Sequence, residues 1–310
     1  MKRRTFLEVA AAAAAAIAAA PEARAAGLAK REYKDRVELS VIGFGGIVVC
    51  GLEQKAADRI VAESFDRGVN YFDVAPSYYD GEAERKLGPA LEPFRKRVFL
   101  ACKTTERGAA GARKELEQSL GRLRTDHFDL YQFHAVSSLD DVEKILAPGG
   151  AAETFEKARR EGKVRFLGAS IHSAEAAVAL MDRFPLDSIL FPVNFVLYQE
   201  GNFGPQILDQ SKKKGVARLA LKTLALSAWS EGQDRSAWPK CWYKPISDPG
   251  LAEKSVRFTL GEDVTAAIPP GDERLFRLAL DCGARFRPLD PKERQDLLAS
   301  ARGLPPIFRA

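Results

Sequence analysis

Beyond residue 36, short apolar runs alternate with longer amphipathic ones. Eight of the short runs read as strands: residues 39–43, 71–75, 98–102, 128–133, 164–169, 188–193, 217–221 and 264–268. They are rich in Val, Ile, Leu, Phe and Tyr. Most are apolar at consecutive positions rather than at every second one, as in strands covered on both faces. The segments between them carry helical stripes. Ile60, Val61, Ser64 and Phe65 share one face, and the run ends at Gly68, a plausible helix C-terminal glycine. Leu116, Leu120 and Leu123 repeat at four and three, and Phe276 and Leu280 lie one turn apart. Strand and helix in strict alternation predict a parallel sheet with right-handed crossovers. Eight such units most naturally close into an α/β (β/α)8 TIM barrel. An open doubly wound sheet is the alternative, but it wants a G-x-G-x-x-G loop after its first strand. Gly43-Phe44-Gly45-Gly46 does not continue into one.

Length and composition agree with one large domain: 310 residues, 46% hydrophobic and 29% charged. A net charge of +5 without a basic stripe gives little reason to expect a nucleic-acid partner. Cys50, Cys102, Cys241 and Cys282 are far apart, with no C-x-x-C pair and no clustering with histidine, so no metal site is expected. The N-terminus has a different character. Lys2-Arg3-Arg4 precedes an alanine run from Ala10 to Ala20 broken only by Ile17, and Ala23-Arg24-Ala25 follows as an A-x-A cleavage pattern. That is the layout of a secretory signal, too short and too weakly apolar for a stable membrane span. Paired arginines before Thr5-Phe6-Leu7 resemble a twin-arginine signal. The expectation is therefore a removable segment at residues 1–26, handled by the twin-arginine export machinery. A single barrel domain at 27–310 would remain, exported, in the periplasm, with no membrane span after signal removal.

In such a barrel the active site lies at the C-terminal ends of the strands. The polar residues there are Asp73 after the second strand, Lys103 after the third, His134 after the fourth, Ser170 after the fifth, Asn194 after the sixth and Lys222 after the seventh. Tyr78 follows in the loop after the second. Taken singly, each has an ordinary structural explanation. Together, a carboxylate, a phenol, an ammonium and an imidazole on one rim form a chemical set. A tyrosine with a pKa near 10 is a poor acid at neutral pH. A neighbouring lysine would lower that pKa, and Asp73 would hold the lysine by ion pairing. His134 would donate a hydrogen bond to a carbonyl oxygen, and Tyr78 would protonate that oxygen as charge builds. This is what carbonyl reduction by hydride transfer requires, with the hydride supplied by a cofactor.

The segments Asp73-Val-Ala-Pro-Ser-Tyr78 and Gly81-Glu-Ala-Glu-Arg-Lys-Leu-Gly88, followed by Lys103 and His134, resemble the aldo-keto reductases. The resemblance extends from about residue 37 to the C-terminus and includes GKVRFLGAS at 162–170. It implies the (β/α)8 fold, a catalytic tetrad of Asp73, Tyr78, Lys103 and His134, a nicotinamide cofactor and a small-molecule carbonyl substrate. The five-residue step from Asp73 selects Tyr78 over Tyr79. It also implies that Ser170 approaches the nicotinamide carboxamide. The sequence departs from the family at four places: Tyr79 stands where glycine is usual, Ile171 where asparagine is frequent, Leu190 where a glutamine is common, and Leu221 where an aromatic ring often underlies the nicotinamide.

The expected cofactor-binding set is Gly45, Ser170, Asn194, Lys222, Arg274 and Arg277. After the eighth strand, Asp272 and Glu273 would repel a 2′-phosphate, while Arg274 and Arg277 would bind one if they faced inward. NADP(H) is the first expectation, with NAD(H) possible. The segment at 225–245, with Trp229, Trp238 and Trp242, reads as a cover for cofactor or substrate or as a packed aromatic loop. The function expected is an oxidoreductase acting on an aldehyde or ketone, or on the corresponding alcohol. The alternative is a cofactor-binding sensor on the same barrel with little turnover, which fold alone does not exclude.

Overall fold

The computed structural model describes residues 27–310; the expected export signal at 1–26 lies outside the described residues. Eight parallel strands form one sheet. In spatial order they are β3 (Phe44–Gly45), β4 (Tyr71–Asp73), β5 (Phe99–Thr104), β6 (Phe128–Val136), β7 (Val164–Ile171), β8 (Ser188–Pro192), β9 (Ala217–Leu221) and β12 (Ala266–Ile268). A parallel bridge between Ile42 and Ala267 joins the first to the last, so the sheet closes as the (β/α)8 pattern predicts.

The start of the barrel differs from the expectation. The apolar run at 39–43 is divided between two structures. Its first part belongs to an antiparallel hairpin, β1 (Lys30–Lys34) with β2 (Val37–Ser40), turned by Asp35 and Arg36 at φ 51° and 64°. The first barrel strand lies a few residues later. The hairpin plugs the lower end of the barrel: Tyr33 sits edge-on to Phe99 and Phe166 at 5.2 and 5.3 Å, and Leu39 is fully buried beside them. A second small hairpin, β10 (Ala225–Ser227) with β11 (Lys244–Pro245), lies in the long segment after β9.

Helices cover the outside: α1 (Gln54–Asp66), α2 (Glu82–Leu91), α3 (Ala109–Arg122), α4 (Leu139–Leu146), α5 (Ala151–Arg160), α6 (Ala174–Arg183), α7 (Pro205–Lys214), α8 (Pro249–Gly261) and α9 (Glu273–Ala284). Their buried faces follow the stripes in the sequence: Ala57, Ile60, Val61 and Ser64 on α1, Leu275, Phe276, Ala279 and Leu280 on α9. A tenth helix, α10 (Pro291–Ser300), carries a capping box between Asp290 and Glu293.

The strands bury both faces. Within the barrel, Tyr71, Phe99, Ala101, Leu130, Phe166, Leu190, Leu219 and Ile268 form one apolar cluster. Two residues further along the same faces stand Asp73 after Tyr71, Lys103 after Ala101, and Gln132 after Leu130. Because side chains alternate with period two, the face that is apolar at the bottom of the barrel delivers polar groups at its top. Strand register, with Asp73 opposite both Gly45 and Ala101, brings those tops together.

Candidate active site

Asp73 and Lys103 are each 1% exposed at the upper end of the lumen. The Lys103 ammonium donates to Asp73 Oδ1, and also to the Val74 carbonyl and the Tyr78 hydroxyl, both at 3.2 Å. Asp73 Oδ2 accepts from Gln132 Nε2 at 2.9 Å and from Tyr71 Oη at 3.3 Å. The carboxylate is thereby held on both oxygens, and the lysine points its charge at the phenol.

Tyr78 reaches this point because the chain leaves β4 in a tight turn, with Tyr78 N–H donating to the Ala75 carbonyl at 3.1 Å. The next three residues, Tyr79, Asp80 and Gly81, have φ of 50°, 49° and 79° before α2 begins. A position in the left-handed region favours glycine, so the glycine expected where Tyr79 stands has a backbone reason. Tyr79 is 47% exposed and does not line the cavity that Tyr78 opens into, so this departure bears on the strain of the loop backbone. The Tyr78 ring lies with its centroid 4.9 Å from Lys103 Nζ and meets the His134 ring edge-on at 5.5 Å.

His134 lies within β6 rather than after it. The register with β7 shifts between Phe133 and Val136, and Ala135 has φ 53°. This bulge re-aims the strand end. His134 Nδ1 is 3.2 Å from Ser77 Oγ. When Ser77 donates there, the imidazole proton sits on Nε2, available to a ligand oxygen.

The electrostatics refine the expected proton chemistry. Burial pushes the Tyr78 phenol above its ordinary pKa, and Lys103 offsets only part of that rise. The expectation of a lowered pKa is therefore reversed in this structure, because desolvation of the phenolate outweighs the ammonium. Burial also works against the Lys103 ammonium, but Asp73 and Tyr78 outweigh it and raise that group. His134 is held well below the usual imidazole range, first by burial and then by Lys103. The site thus presents a protonated phenol, a charged lysine and a neutral imidazole.

The other expected residues are placed as follows. Asp73 and Tyr78 open into a narrow cavity that Gly45, Leu221, Lys222, Trp242 and Ile268 also line. A Cβ at Gly45 would come within 3.1 Å of Ile268 Cγ2, so glycine keeps that wall clear. Ser170 is 2% exposed at the top of β7. Asn194 is engaged locally: Nδ2 donates to the Lys222 carbonyl at 3.0 Å and Oδ1 accepts from Leu197 N–H at 2.9 Å. Arg274 stacks over Trp238 at 4.1 Å and grips Asp272 with Nε and Nη2 at 3.0 and 2.8 Å. Arg277 is turned toward α1, where it pairs with Glu63 at 2.7 Å. The two arginines are not brought together.

Gln132 and Tyr71 were missed from sequence. Gln132 had a signal, being two residues before His134 on the same strand face. Phe308 had none. The C-terminal tail lays it over the barrel mouth, stacked on His172 at 4.7 Å and edge-on to Trp242 at 5.9 Å. Within the 225–245 segment, Trp229 Nε1 donates to the Cys241 carbonyl at 3.0 Å, and Lys240 reaches the Val48 carbonyl at 3.1 Å and Glu273 at 3.2 Å. That segment is tied across the opening.

A family model described as Aldo/keto reductase family matches residues 41–241. An uncharacterized oxidoreductase of Bacillus subtilis, YqkF, is 23% identical over 269 residues, 78% of this chain and 86% of that protein. The aldo-keto reductase YhdN of the same organism is 33% identical over 201 residues, covering 61% of this chain and only 58% of YhdN. L-galactose dehydrogenase of Arabidopsis thaliana is 26% identical over 211 residues, 63% and 65% of the two chains. Among solved structures, the holo form of an aldo-keto reductase from Bacillus halodurans superposes with a TM-score of 0.69 at 23% identity, over 88% of this chain and 96% of the other. The matched region contains the whole Asp73, Tyr78, Lys103 and His134 constellation, and the chain belongs to the aldo/keto reductase family of NAD(P)H-dependent oxidoreductases.

Proposed function

We propose that this protein reduces an aldehyde or ketone, or oxidises the corresponding alcohol, with Tyr78 as the general acid/base. The observation that carries this reading is the Tyr78 hydroxyl lying 3.2 Å from an ammonium that Asp73 holds in the buried top of the barrel. A bound NAD(P)H supplies the hydride. The chain's own residues supply the rest. His134 orients the carbonyl oxygen through Nε2. Tyr78, protonated well above neutral pH, donates its proton to that oxygen. Lys103 stabilises the phenolate left behind, and Asp73, braced by Gln132 and Tyr71, fixes the lysine.

Gly45 and Ser170 fit a nicotinamide lying over the strand ends. NADP(H) is favoured narrowly: Lys240 lines the cavity and Arg274 follows at the start of α9 as a second cation, while Glu273 and Asp272, which pair with them, count against a phosphate there. Purified protein assayed with NADPH and NADH on a panel of aldehydes, ketones and quinones tests the reading, beside Tyr78→Phe. Turnover by the wild type that falls at least about 100-fold in the variant is the expected result. Cofactor binding without turnover on any carbonyl would overturn it in favour of a sensor. The N-terminal sequence supports export by the twin-arginine route; retention of the protein in the cytoplasm after Arg3 and Arg4 are both changed to lysine, with export of the unchanged chain, is the expected result.

A further inference from the structure

Two lysines, Lys222 and Lys240, line the cavity that Asp73 and Tyr78 open into; Lys240 pairs with Glu273, as the buried Lys103 behind Tyr78 pairs with Asp73. Lys222 has no carboxylate partner among the described residues. It follows β9 in a left-handed conformation, φ 65°. A non-glycine residue persists there only when its surroundings fix it. The Lys222 carbonyl accepts from Asn194 Nδ2 and from Ala225 N–H, both at 3.0 Å, which supplies that fixation. The ammonium stands 5.0 Å from the centre of the Trp242 ring and 4.9 Å from that of Tyr243. Aromatic walls attract the cation but satisfy none of its N–H donors.

Burial first, and then the neighbouring Lys103, His172, Arg107 and Lys222, hold His134 well below the usual imidazole range. Burial brings Lys222 itself down to about 8, and Lys103 is near enough to add its repulsion. Lys222 lines the same cavity as Asp73 and Tyr78, whereas Lys240 is engaged by Glu273 and the Val48 carbonyl and Arg274 by Asp272.

We propose that Lys222 is a specificity-determining residue that binds a carboxylate on the carbonyl substrate, so that oxoacids and aldehyde acids are the substrate class. This rests on the carbonyl-reductase reading above. The dinucleotide's pyrophosphate offers the same anionic oxygens, and the experiment separates the two sources.

The wild type, Lys222→Met and Lys222→Arg are compared on 4-oxobutanoate and on its methyl ester, the same aldehyde with the charge removed. Cofactor Kd and succinate Kd are read from tryptophan emission, to which Trp242 beside the ammonium contributes. The expected result is a ratio of kcat/KM, acid over ester, that falls about 10- to 100-fold in Lys222→Met and is largely restored in Lys222→Arg. Succinate affinity falls in parallel and cofactor Kd changes no more than about twofold. An unchanged ratio with weakened cofactor binding would assign the cation to the pyrophosphate and overturn the proposal. So would a wild type that binds no succinate. A wild type that binds succinate through Lys222 but reduces neither aldehyde would sink the reductase reading while leaving the anion subsite standing.

Discussion

Replacing Asp73 by Asn leaves the Lys103 ammonium buried without its counter-ion, and the structure sets the size of the penalty. Both side chains are 1% exposed, so solvent offers no relief. Breaking a buried pair by removing one partner costs about 3–5 kcal/mol. An upper limit follows from the escape route, because the lysine can shed its proton instead of staying charged. From an unfolded-state pKa of about 10.4, deprotonation at pH 7 costs about 4.6 kcal/mol, and each pH unit upward lowers that by about 1.4 kcal/mol. In the wild type the folded pKa of Lys103 is raised, so its contribution is fully present below the unfolded value and is lost only at higher pH. In the variant the folded pKa is depressed, and the penalty is relieved as pH rises. Urea unfolding of wild type and Asp73→Asn at pH 7 and pH 9 should therefore show a gap of about 4 kcal/mol that shrinks to about 2 kcal/mol. The Val74 carbonyl and the Tyr78 hydroxyl still accept from the lysine, which keeps the expected gap below the upper limit. A gap below about 1 kcal/mol at pH 7, or one that widens toward pH 9, would refute the reasoning.

Because His134 is held neutral and the Tyr78 phenol is raised, carbonyl reduction should show no imidazole break between about pH 5 and 8 and should decline only in the alkaline range; a profile of kcat/KM with a break near 6.5 would contradict this. Asp272 grips Arg274 while also capping α9, so Asp272→Ser keeps a cap and frees the guanidinium. The NADPH-over-NADH ratio of affinities should then rise several-fold, and a fall would show that Arg274 does not face the cofactor. Tyr79→Gly should stabilise the fold by about 0.5–1 kcal/mol in urea unfolding, since φ 50° is costly for a tyrosine that is half exposed; a loss of more than 1 kcal/mol would mean that its ring packs more than its exposure suggests.

Much of this protein is legible from residue order because its determinants are local. Apolar runs covered on both faces, spaced by helical stripes, identify parallel strand–helix units, and eight of them leave few alternatives to a barrel. Asp73 and Tyr78 are five residues apart on one strand end and its loop, so their pairing is a sequence property. The hairpin at the barrel floor is different. Leu39 belongs to an apolar run that local pattern assigns to the first barrel strand, and only the need to plug the lumen beside Phe99 and Phe166 diverts it. Gln132 joins Asp73 across 59 positions because of strand register, a long-range property. The sign of the Tyr78 shift depends on how much solvent the closed barrel removes, which no spacing encodes. Arg274 and Arg277 illustrate the same limit. One helical turn apart, they are equivalent in sequence, yet packing gives one to Asp272 and the other to Glu63. The sequence alone determined the barrel and pointed to the set of Asp73, Tyr78, Lys103 and His134 at its rim, since periodicity and short spacing are carried by neighbours along the chain. The tertiary structure alone decided which groups are desolvated, which charges are neutralised, and that the Lys222 ammonium has no carboxylate partner among the described residues, because burial and pairing depend on what closes around a residue from distant parts of the chain.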